Sequence, residues 1–398
     1  MGPQTSTDVV IIGAGISGCA AAFELAQEGY SVQILEQYTP AAMASGWTLA
    51  GVRQSGRDPA ELPLAIRAVE LWETLSQRLD ANTGYRQDGN LRLARNNDEV
   101  EIIRTLVAKQ SALGLELRFL DDFTDIRAIA PCLSEQVLAA SYCANDGHAD
   151  PLATVAALRA AAERCGARFH SMDRVHHLDV VASRLVGVTS KKQGHISAGV
   201  CIIAAGVSVN ELLQPLGLEI PLRVPMVTVL QTEPLAPLLA PVLGVANADM
   251  AARQQLDGRL RVTGGAETWH GVMDKEQEDI AERPRVAPSS ESLGNVIAKV
   301  TQVLPAFSEA RVAKIWAGLL DLTPDALPVI DVAPGVDGIV IGAGFSGHGF
   351  GLGPVTGELL CDLAIGRSPR LTLDAFRFER FNDRMIASVT PAQLSLHG

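Results

Sequence analysis

Residues 9–36 constrain the fold of this chain more than any other segment. They read VVIIGAGISGCAAAFELAQEGYSVQILE. The apolar run at residues 9–12 predicts a buried parallel strand, and the Ala-rich segment after it predicts an amphipathic helix that ends near Gly29. A second apolar run at residues 32–35 closes a βαβ unit on Glu36. This unit predicts an α/β domain built on a parallel sheet.

The turn between this strand and helix carries a dinucleotide-binding pattern. Gly13, Gly15 and Gly18 have G-x-G-x-x-G spacing. Such glycines allow a tight turn, close approach of a pyrophosphate, and packing of the helix on the strand, while the helix N-terminus attracts the phosphates. Glu36 lies roughly 20 residues downstream, where an acid accepts hydrogen bonds from a ribose diol. NADP is therefore disfavoured, NAD and FAD stay open, and an ordinary glycine turn would leave Glu36 unexplained.

Length and composition limit the classes of protein. The chain has 398 residues, 47% hydrophobic and 20% charged, which predicts a well-filled core and two domains. A net charge of −12 without a basic run argues against nucleic acid or anionic membranes as partners. No apolar stretch reaches about 18 residues, and MGPQTSTD lacks a basic region, so we expect no membrane span, no signal peptide and a cytoplasmic protein. The six scattered cysteines predict reduced thiols and no metal site.

The middle of the chain predicts helices first and then strands. Helical spacing of apolar residues predicts helices over residues 60–80 and 98–113, and a third begins at Asp150-Pro151 and ends before Gly166. Short strand-like runs follow at residues 167–169, 174–178, 185–189 and 200–203.

Two further regions differ in character from this pattern. Residues 40–58, rich in Gly, Ser and Ala, predict an irregular loop that reaches a ligand. Residues 213–318 predict a separate α+β region with an antiparallel sheet, strand-like pieces at 224–232 and 260–263, and a helix near 289–303.

The strand, glycine turn and helix pattern returns near the C-terminus. Residues 338–344 read GIVIGAG, and residues 345–354 continue FSGHGFGLGP. We expect a helix with Pro354 in its first turn that runs to about Ala364. No second βα unit with a terminal acid follows, so we interpret this turn as a second helix N-terminus directed at the same ligand. That geometry suits an isoalloxazine ring, because a helix dipole stabilises negative charge on it; a turn needed only for packing is the alternative.

These segments together resemble one enzyme family. The N-terminal glycine motif, IIAAG at residues 202–206 and the segment at residues 318–360 are similar to the FAD-dependent D-amino-acid oxidase superfamily. Its glycine oxidase, sarcosine oxidase and hydroxyproline dehydrogenase branch is the nearest, and GFSGHGF at residues 344–350 is the most specific string. The resemblance implies an α/β fold with a discontinuous Rossmann-like FAD-binding domain and an α+β substrate domain with a mixed, largely antiparallel sheet. The implied FAD-binding domain comprises residues 1–84, 146–212 and 319–398, and the substrate domain residues 85–145 and 213–318.

The resemblance also implies site residues. Ser45 and Gly46 match small residues near the phosphates and flavin, and Val175 matches a residue whose backbone meets the adenine. The implied catalytic residues are His348, near the reacting face, and Arg53, which would meet the substrate carboxylate through a two-pronged guanidinium; Arg57 in the same segment, or a surface salt bridge, is the alternative. The implied cofactor-binding residues are Gly13, Ala14, Gly15, Ile16, Ser17, Gly18, Glu36, Gln37, Ser45, Gly46, Val175, Ala205, Gly206, Gly344, Phe345, Ser346, Gly347, His348 and Gly349.

The chain departs from monomeric sarcosine oxidases at three positions. Their flavin-linked cysteine corresponds to Gly318 here, so we expect non-covalent FAD. A carboxylate-binding lysine after their GHGF string corresponds to Gly351, and a lysine linked to oxygen reactivity has no clear counterpart around Arg261. Oxygen, a quinone or a partner electron-transfer subunit therefore all stay open as the electron acceptor, and a homo- or hetero-oligomer is compatible with the sequence.

The implied reaction is oxidation of the C–N bond of an amino acid or secondary amine. Hydride would pass from Cα of the neutral amine to flavin N5 and give an imine. A desolvated site that lowers the pKa of the substrate ammonium would suffice without a strong base. The alternatives are a 2-hydroxy-acid dehydrogenase of the same fold and a flavin subunit of a heteromeric amine dehydrogenase. Which amine is oxidised, and in which configuration, does not follow from the sequence.

Overall fold

The computed structural model describes residues 6–271 and 286–381. Parts of the predicted domains at residues 1–5, 272–285 and 382–398 lie outside the described residues. The described strands are β1 (Ser6–Ile12), β2 (Val32–Glu36), β3 (Gly51–Val52), β4 (Asn90–Ala94), β5 (Arg118–Leu120), β6 (Ala139–Cys143), β7 (Gly147–His148), β8 (Arg168–Ser171), β9 (Val175–Val181), β10 (Arg184–Ser190), β11 (Gly194–Ile203), β12 (Pro225–Pro234), β13 (Val242–Val245), β14 (Met250–Gln254), β15 (Arg259–Thr268), β16 (Val312–Leu319), β17 (Val329–Val332) and β18 (Ile339–Ala343). The described α-helices are α1 (Ile16–Gln27), α2 (Ala44–Trp47), α3 (Leu62–Arg78), α4 (Asn97–Ala112), α5 (Phe123–Ile129), α6 (Pro151–Arg164), α7 (Val209–Leu213), α8 (Ser290–Val303) and α9 (Gly349–Ala364).

The first sheet has the order β17-β18-β11-β1-β2-β8, with β10 and β9 attached beside β11. Strands β18, β11, β1, β2 and β8 run parallel, and their apolar residues are buried on both faces, as expected for a parallel sheet. Helices α1, α3, α6 and α9 cover one face and α7 the other. All strands of this sheet fall in the segments assigned by sequence to the FAD-binding domain.

The second sheet has the order β16-β12-β15-β14-β13-β4-β6-β5. Every pair is antiparallel except β13 with β4, which confirms the predicted mixed, largely antiparallel sheet. Side chains of one face form a core with α5 and α8, so the opposite face is left to line the candidate site. The exact boundaries of the two domains stay a prediction.

The start of helix α9 was predicted wrongly. Pro354 was expected in the first turn, but the helix begins at Gly349, so Pro354 lies inside it. Glycine has low helix propensity, but here close packing stabilises the first turns, since a Cβ at Gly351 would lie 3.0 Å from the carbonyl of Gly51 and one at Gly353 would lie 2.5 Å from Ile16. The predicted loop at residues 40–58 also contains α2 and β3.

Several short strands were missed by the sequence analysis, notably β4 and β14. Both are buried along their whole length and both carry an arginine, Arg92 in β4 and Arg253 in β14. These charges interrupt the apolar runs that indicate buried strands. The predicted helices at residues 60–80, 98–113, 151–165 and 289–303 are confirmed by α3, α4, α6 and α8.

Candidate functional site

A cavity of about 440 Å³ lies at the carboxyl ends of β1, β2 and β11, the edge at which open α/β sheets bind ligands. We call it the first cavity. Its lining comes from the first glycine turn, the end of β2, the turn after β11 and the start of β9. These residues include Gly13, Gly15, Glu36, Gln37, Ser45, Arg174, Val175, His176, Lys191, Ala205, Gly206 and Glu211.

Glu36 is held in place by the turn beside it. Its Oε2 accepts a hydrogen bond from the N–H of Ala14 at 2.7 Å, and its Oε1 accepts one from Tyr38 at 2.8 Å. Burial raises the pKa of Glu36, and these backbone hydrogen bonds oppose that shift. A carboxylate oxygen accepts more than one hydrogen bond, so the side chain keeps acceptor capacity toward the first cavity.

The first glycine turn leaves no room for side chains. A Cβ at Gly13, whose φ is +105°, would lie 2.3 Å from the carbonyl oxygen of Ala204, and a Cβ at Gly18 would lie 2.0 Å from that of Gly13. The N–H of Ile16, the first of α1, donates to Oγ of Ser45 at 2.9 Å, and Gly15 at the start of the helix lines both cavities, so the positive end of the helix dipole lies at the cleft. The residues present therefore fit a pyrophosphate at this turn.

A second cavity of about 180 Å³ continues from the first. It is lined by Gly15, Ile16 and Ser17 of the first turn and by Gly347 and Gly349 of the second. The two cavities share the lining residues Gly15, Ala44, Ser45, Ala204, Gly206, Leu319 and Asp321. One elongated cleft thus runs from the end of β2 to the second glycine turn, as a bound dinucleotide with a ring system requires.

Helix packing explains why the two distant turns converge. Helices α1 and α9 pack closely, because a Cβ at Gly353 would lie 2.5 Å from the side chain of Ile16 and one at Gly357 would lie 2.5 Å from Ala20. Small residues let two helix axes approach each other. The N-terminal ends of both helices therefore meet at the second cavity.

The opposite wall of the second cavity is the free face of the second sheet. It is largely apolar where β12, β13 and β14 cross it. The lining residues of this wall are Asn90, Val227, Val229, Val242, Gly244, Ala251 and Thr263. Alternation along the strands places Arg92, Arg253 and Arg261 on the same face.

A buried ionic cluster adjoins the second glycine turn. Nδ1 of His348 lies 2.9 Å from Oε2 of Glu61, and Nη1 of Arg57 lies 3.7 Å from the same oxygen. Nε of Arg57 donates to the carbonyl of Arg53 at 3.2 Å, and both arginines line the second cavity. Burial opposes ionisation of Glu61, but His348 and Arg57 outweigh it and lower the pKa of this carboxyl. Burial and then the charge of Arg57 lower the pKa of His348.

Asp146 orders the segment that carries these arginines. Its carboxylate accepts hydrogen bonds from the N–H of Gln54 at 2.8 Å and from the hydroxyl and N–H of Ser55. Burial lowers the pKa of Arg92 to about 10, with a contribution from the nearby charge of Arg57. Guanidinium groups therefore outnumber carboxylates at this end of the cavity, which favours an anionic ligand group.

Arg253 of β14 and Arg261 of β15 lie on the cavity face of the second sheet, beside the lining of the second cavity rather than in it. Nη1 of Arg253 lies 3.0 Å from Nδ1 of His148, whose pKa is lowered to about 3 by burial and then by Arg253, so the imidazole is neutral and accepts the bond. Nη1 of Arg261 donates to the carbonyl of Thr48 at 2.7 Å, and its guanidinium lies 5.2 Å from the Trp316 ring centre. His148 is thus a buried partner of an arginine.

Two of the three sequence departures have a steric counterpart. A Cβ at Gly318 would lie 2.8 Å from Cε3 of Trp47, so the indole occupies the space beside this glycine. Gly351 contacts the backbone of Gly51, and its carbonyl accepts a hydrogen bond from Nε1 of Trp72 at 2.7 Å. Larger side chains at these two positions are incompatible with the packing observed here. At the third position, Arg261 is engaged with Thr48 as described above.

Most predicted cofactor residues lie on the joined cavities, and six do not line them. Gly13, Gly15, Ile16, Ser17, Glu36, Gln37, Ser45, Val175, Ala205, Gly206, Phe345, Gly347 and Gly349 line one or both cavities. The six residues placed behind this lining are Ala14, Gly18, Gly46, Gly344, Ser346 and His348. Ser346 bonds to the carbonyl of Gly344 at 3.1 Å, and His348 bonds to Glu61, so both are positioned to shape the turn.

Sequence reasoning missed four buried charged residues of this region: Glu61, Arg92, Asp146 and Asp321. Asp321 lines both cavities and accepts the N–H of Gly344 at 2.7 Å. Burial raises the pKa of Asp321 to about 6, although backbone hydrogen bonds, including the one from Gly344, act to lower it. A usable signal was present in β4, where Asn90 and Arg92 alternate with leucines as one polar face of a strand.

Comparison with known proteins agrees with this geometry. The family model described as FAD dependent oxidoreductase matches residues 8–363. The chain belongs to this family. It is 26% identical to the glycine oxidase of Pseudomonas aeruginosa, over 92% of this chain and 96% of that protein, and 24% identical to sarcosine oxidase subunit beta of Rhizobium meliloti, over 95% and 89%. The crystal structure of L-proline dehydrogenase from P. horikoshii superposes with a TM-score of 0.86 at 25% identity, covering 95% of this chain and 98% of that one.

Membership of this family establishes the class of activity. The protein is an FAD-dependent oxidoreductase. No helix within residues 6–271 and 286–381 is long and apolar enough to cross a membrane.

Proposed function

We propose that this enzyme oxidises the C–N bond of a carboxylate-bearing amine to an imine, with FAD held non-covalently. When bound, FAD supplies the acceptor for the hydride that leaves the substrate Cα. The observation that carries the proposal is the second cavity, where two glycine turns meet an apolar sheet face, the buried Arg57 and the half-buried Arg53. The glycine at position 318, covered by Trp47, supports the non-covalent attachment.

The residues of this chain contribute binding and orientation. Arg53, with Arg57 behind it, anchors the substrate carboxylate at the β4 end of the cavity, since a guanidinium pairs with a carboxylate through two parallel hydrogen bonds. The apolar wall of β12, β13 and β14 excludes water around the amine. Exclusion of water lowers the pKa of the substrate ammonium. The positive charges of Arg53 and Arg57 lower it further, which favours the neutral amine.

His348 and Glu61 hold the second glycine turn in position. The carboxylate of Glu61 accepts the Nδ1 proton of His348 and so fixes the imidazole tautomer. This pair orders the start of α9, whose first N–H groups and dipole lie at the second cavity. The substrate is then oriented against the isoalloxazine ring of FAD by a rigid turn rather than by a mobile loop.

The relatives also bear on the electron acceptor and on the subunit assembly of this enzyme. One similar protein is a sarcosine oxidase subunit, which supports a heteromeric arrangement as well as a single-chain enzyme. Co-purification of the chain expressed with its native genomic neighbours tests for such a partner. Anaerobic reduction of the flavin by substrate, repeated in air and then with a quinone, identifies the electron acceptor.

The direct test is anaerobic mixing of the holoenzyme with D-, L- and N-alkyl amino acids while flavin absorbance is followed. We expect bleaching of the oxidised flavin band by at least one carboxylate-bearing amine, with release of ammonia, an amine or a cyclic imine. Bleaching by 2-hydroxy acids and by no amine contradicts the proposal. Acid precipitation of the protein separates the attachment modes, because non-covalent FAD stays in the supernatant.

A further inference from the structure

Three neighbouring side chains on the cavity face of the second sheet carry buried hydrogen-bond donors that have no partner among the residues that the structure describes. The atoms are Nε and Nη2 of Arg253, Nε of Arg261 and Oγ1 of Thr263. The three residues are 2%, 6% and 3% exposed. An unsatisfied buried donor destabilises the folded state, and an uncompensated buried charge destabilises it more. A ligand that supplies hydrogen-bond acceptors would therefore stabilise these groups. We name Arg253, Arg261 and Thr263 the β14–β15 donor cluster.

Strand register brings the cluster together at the second cavity. Arg253 of β14 lies directly opposite Arg261 of β15. Thr263 follows Arg261 by two residues on the same face, which is about 7 Å along a strand. Thr263 lines the second cavity, and so does Thr48, whose carbonyl accepts the Nη1 proton of Arg261. The cluster therefore lies at the wall where β14 and β15 meet the cavity.

Nearby acids are already engaged elsewhere. Asp150 caps helix α6 by accepting the N–H of Ala153 at 2.8 Å, and Asp257 pairs with Arg259 at 2.6 Å. The direct partner of Arg253 is the neutral imidazole of His148, which brings no negative charge. Burial and then the charge of Arg261 lower the pKa of Arg253 to about 9, so the guanidinium stays charged at neutral pH. Within residues 6–271 and 286–381, the adjacent positive charges of Arg253 and Arg261 thus have no carboxylate paired directly with them.

The donor cluster is separate from the arginines proposed to anchor the substrate. Arg53 and Arg57 line the second cavity together with Asn90 of β4, and the charge of Arg92 in the same strand acts on Arg53. Strands β4 and β15 are separated by β13 and β14 in the sheet, so their backbones lie roughly 14 Å apart. The lining of the second cavity therefore has Arg53 and Arg57 at one end, an apolar span of Val242 and Ala251, and Thr263 at the other end, where Arg261 and Arg253 adjoin Thr263 on the same sheet face.

We propose that the substrate of this enzyme is a dicarboxylic amine, with one carboxylate at Arg53 and Arg57 and the second at the β14–β15 donor cluster. An amino acid with an acidic side chain, or an amine with an N-carboxyalkyl group, has this chemistry. A carboxylate has acceptor positions for all the unsatisfied donors and supplies the missing negative charge. This inference rests on the proposed function, because it assigns the far end of the same substrate cavity.

The test compares each acid with its isosteric amide or neutral analogue in the holoenzyme. Anaerobic flavin reduction is measured with glutamate and glutamine, aspartate and asparagine (each in both configurations), and iminodiacetate and sarcosine. We expect at least one acid to exceed its uncharged analogue by about tenfold or more in the rate constant divided by Kd, the size expected for a charged hydrogen bond. Arg261→Gln and the milder variant Thr263→Val should remove most of that preference. Arg259→Gln, at the exposed start of the same strand, is the matched control and should keep it.

A binding experiment makes the inference independent of turnover. Glutarate and butyrate are titrated separately into the holoenzyme, and binding is followed by the change in flavin absorbance. We expect tighter binding of glutarate, lost in Arg261→Gln and kept in Arg259→Gln. Equal affinities, or a preference unchanged by Arg261→Gln and Thr263→Val, overturn the inference and leave buried water as the partner of the donors. Reduction by uncharged amines without an acid preference refutes only this inference, whereas no reduction by any amine refutes the proposed function.

Discussion

Nδ1 of His348 lies 2.9 Å from Oε2 of Glu61, although 287 residues separate the two in sequence. The contact joins the first turn of α9 to the start of α3, directly behind the second glycine turn. Glu61 is fully buried and also faces the guanidinium of Arg57. One carboxylate therefore compensates a buried cation and fixes a histidine beside the cavity.

Replacement of Glu61 by glutamine should destabilise the fold. The neutral amide leaves the charge of Arg57 buried without its nearby anion, and breaking a buried pair costs about 3–5 kcal/mol. The measurement is the free energy of unfolding of the FAD-free protein in urea. Glu70→Gln on the exposed side of the same helix, where Glu70 pairs with Arg67, is the control and should change that energy by less than about 0.5 kcal/mol. Equal effects of the two variants would remove the structural role assigned to Glu61.

A methyl group at Gly18 should weaken FAD binding. The new Cβ would lie 2.0 Å from the carbonyl oxygen of Gly13, so α1 must shift away from the turn. Overpacking of this kind costs about 1–3 kcal/mol, which corresponds to roughly ten- to hundredfold in Kd if it falls on the bound state. Titration of the apoprotein with FAD, followed by flavin fluorescence, measures the change. Gly199→Ala in β11, where a Cβ meets nothing within 4 Å, should leave Kd unchanged.

Arg53→Ala should separate substrate binding from cofactor binding. Loss of a hydrogen bond to a charged group costs about 1.5–3 kcal/mol, so kcat/KM for carboxylate-bearing amines should fall roughly ten- to hundredfold. The Kd for FAD should stay within about threefold of the parent value, and Arg104→Ala on exposed α4 should alter neither constant. An equal loss of FAD affinity would assign Arg53 to the cofactor instead.

The first glycine turn could be predicted from local sequence, because its strand, helix and acid are contiguous and each position has a backbone requirement. The second turn was recognised for the same reason, but the start of α9 was not. Local propensity disfavours a helix at Gly349, and only packing against Ile16 and Gly51 stabilises it. Tertiary contacts therefore overrode propensity at this element.

The buried charges were the least predictable part of the site. Glu61 and Asp146 lie on opposite sides of a long insertion in sequence, and nothing local indicates that they lie near Arg57 and the Gln54–Ser55 segment. Arg253 interrupts an apolar run, so the local pattern does not indicate the buried strand β14. Such residues depend on strand register and sheet order, which a single sequence does not specify.

Stability should fall as pH rises through the titration of Asp321. Its pKa is raised to about 6 in the folded protein by burial, whereas the unfolded value is 3.8. Between these two pKa values the folded state binds more protons than the unfolded state. The contribution of Asp321 to the free energy of unfolding is therefore fully present below about pH 4 and is lost as pH rises through about 6. The total loss is about 3 kcal/mol. Unfolding of the apoprotein at pH 4 and pH 8 measures it. Asp321→Asn should flatten this dependence, and a slope unchanged from the parent would contradict the assignment; the exposed Asp337→Asn is the control.

A crystal structure of the FAD complex tests the central claim most directly, namely that the two glycine turns hold one cofactor. We expect the pyrophosphate at Gly13–Gly18, the ribose at Glu36 and the isoalloxazine ring beside Gly347 and Gly349, between α9 and the face of the second sheet. A ring located outside the second cavity, away from the turn that contains His348, would contradict the proposed redox site.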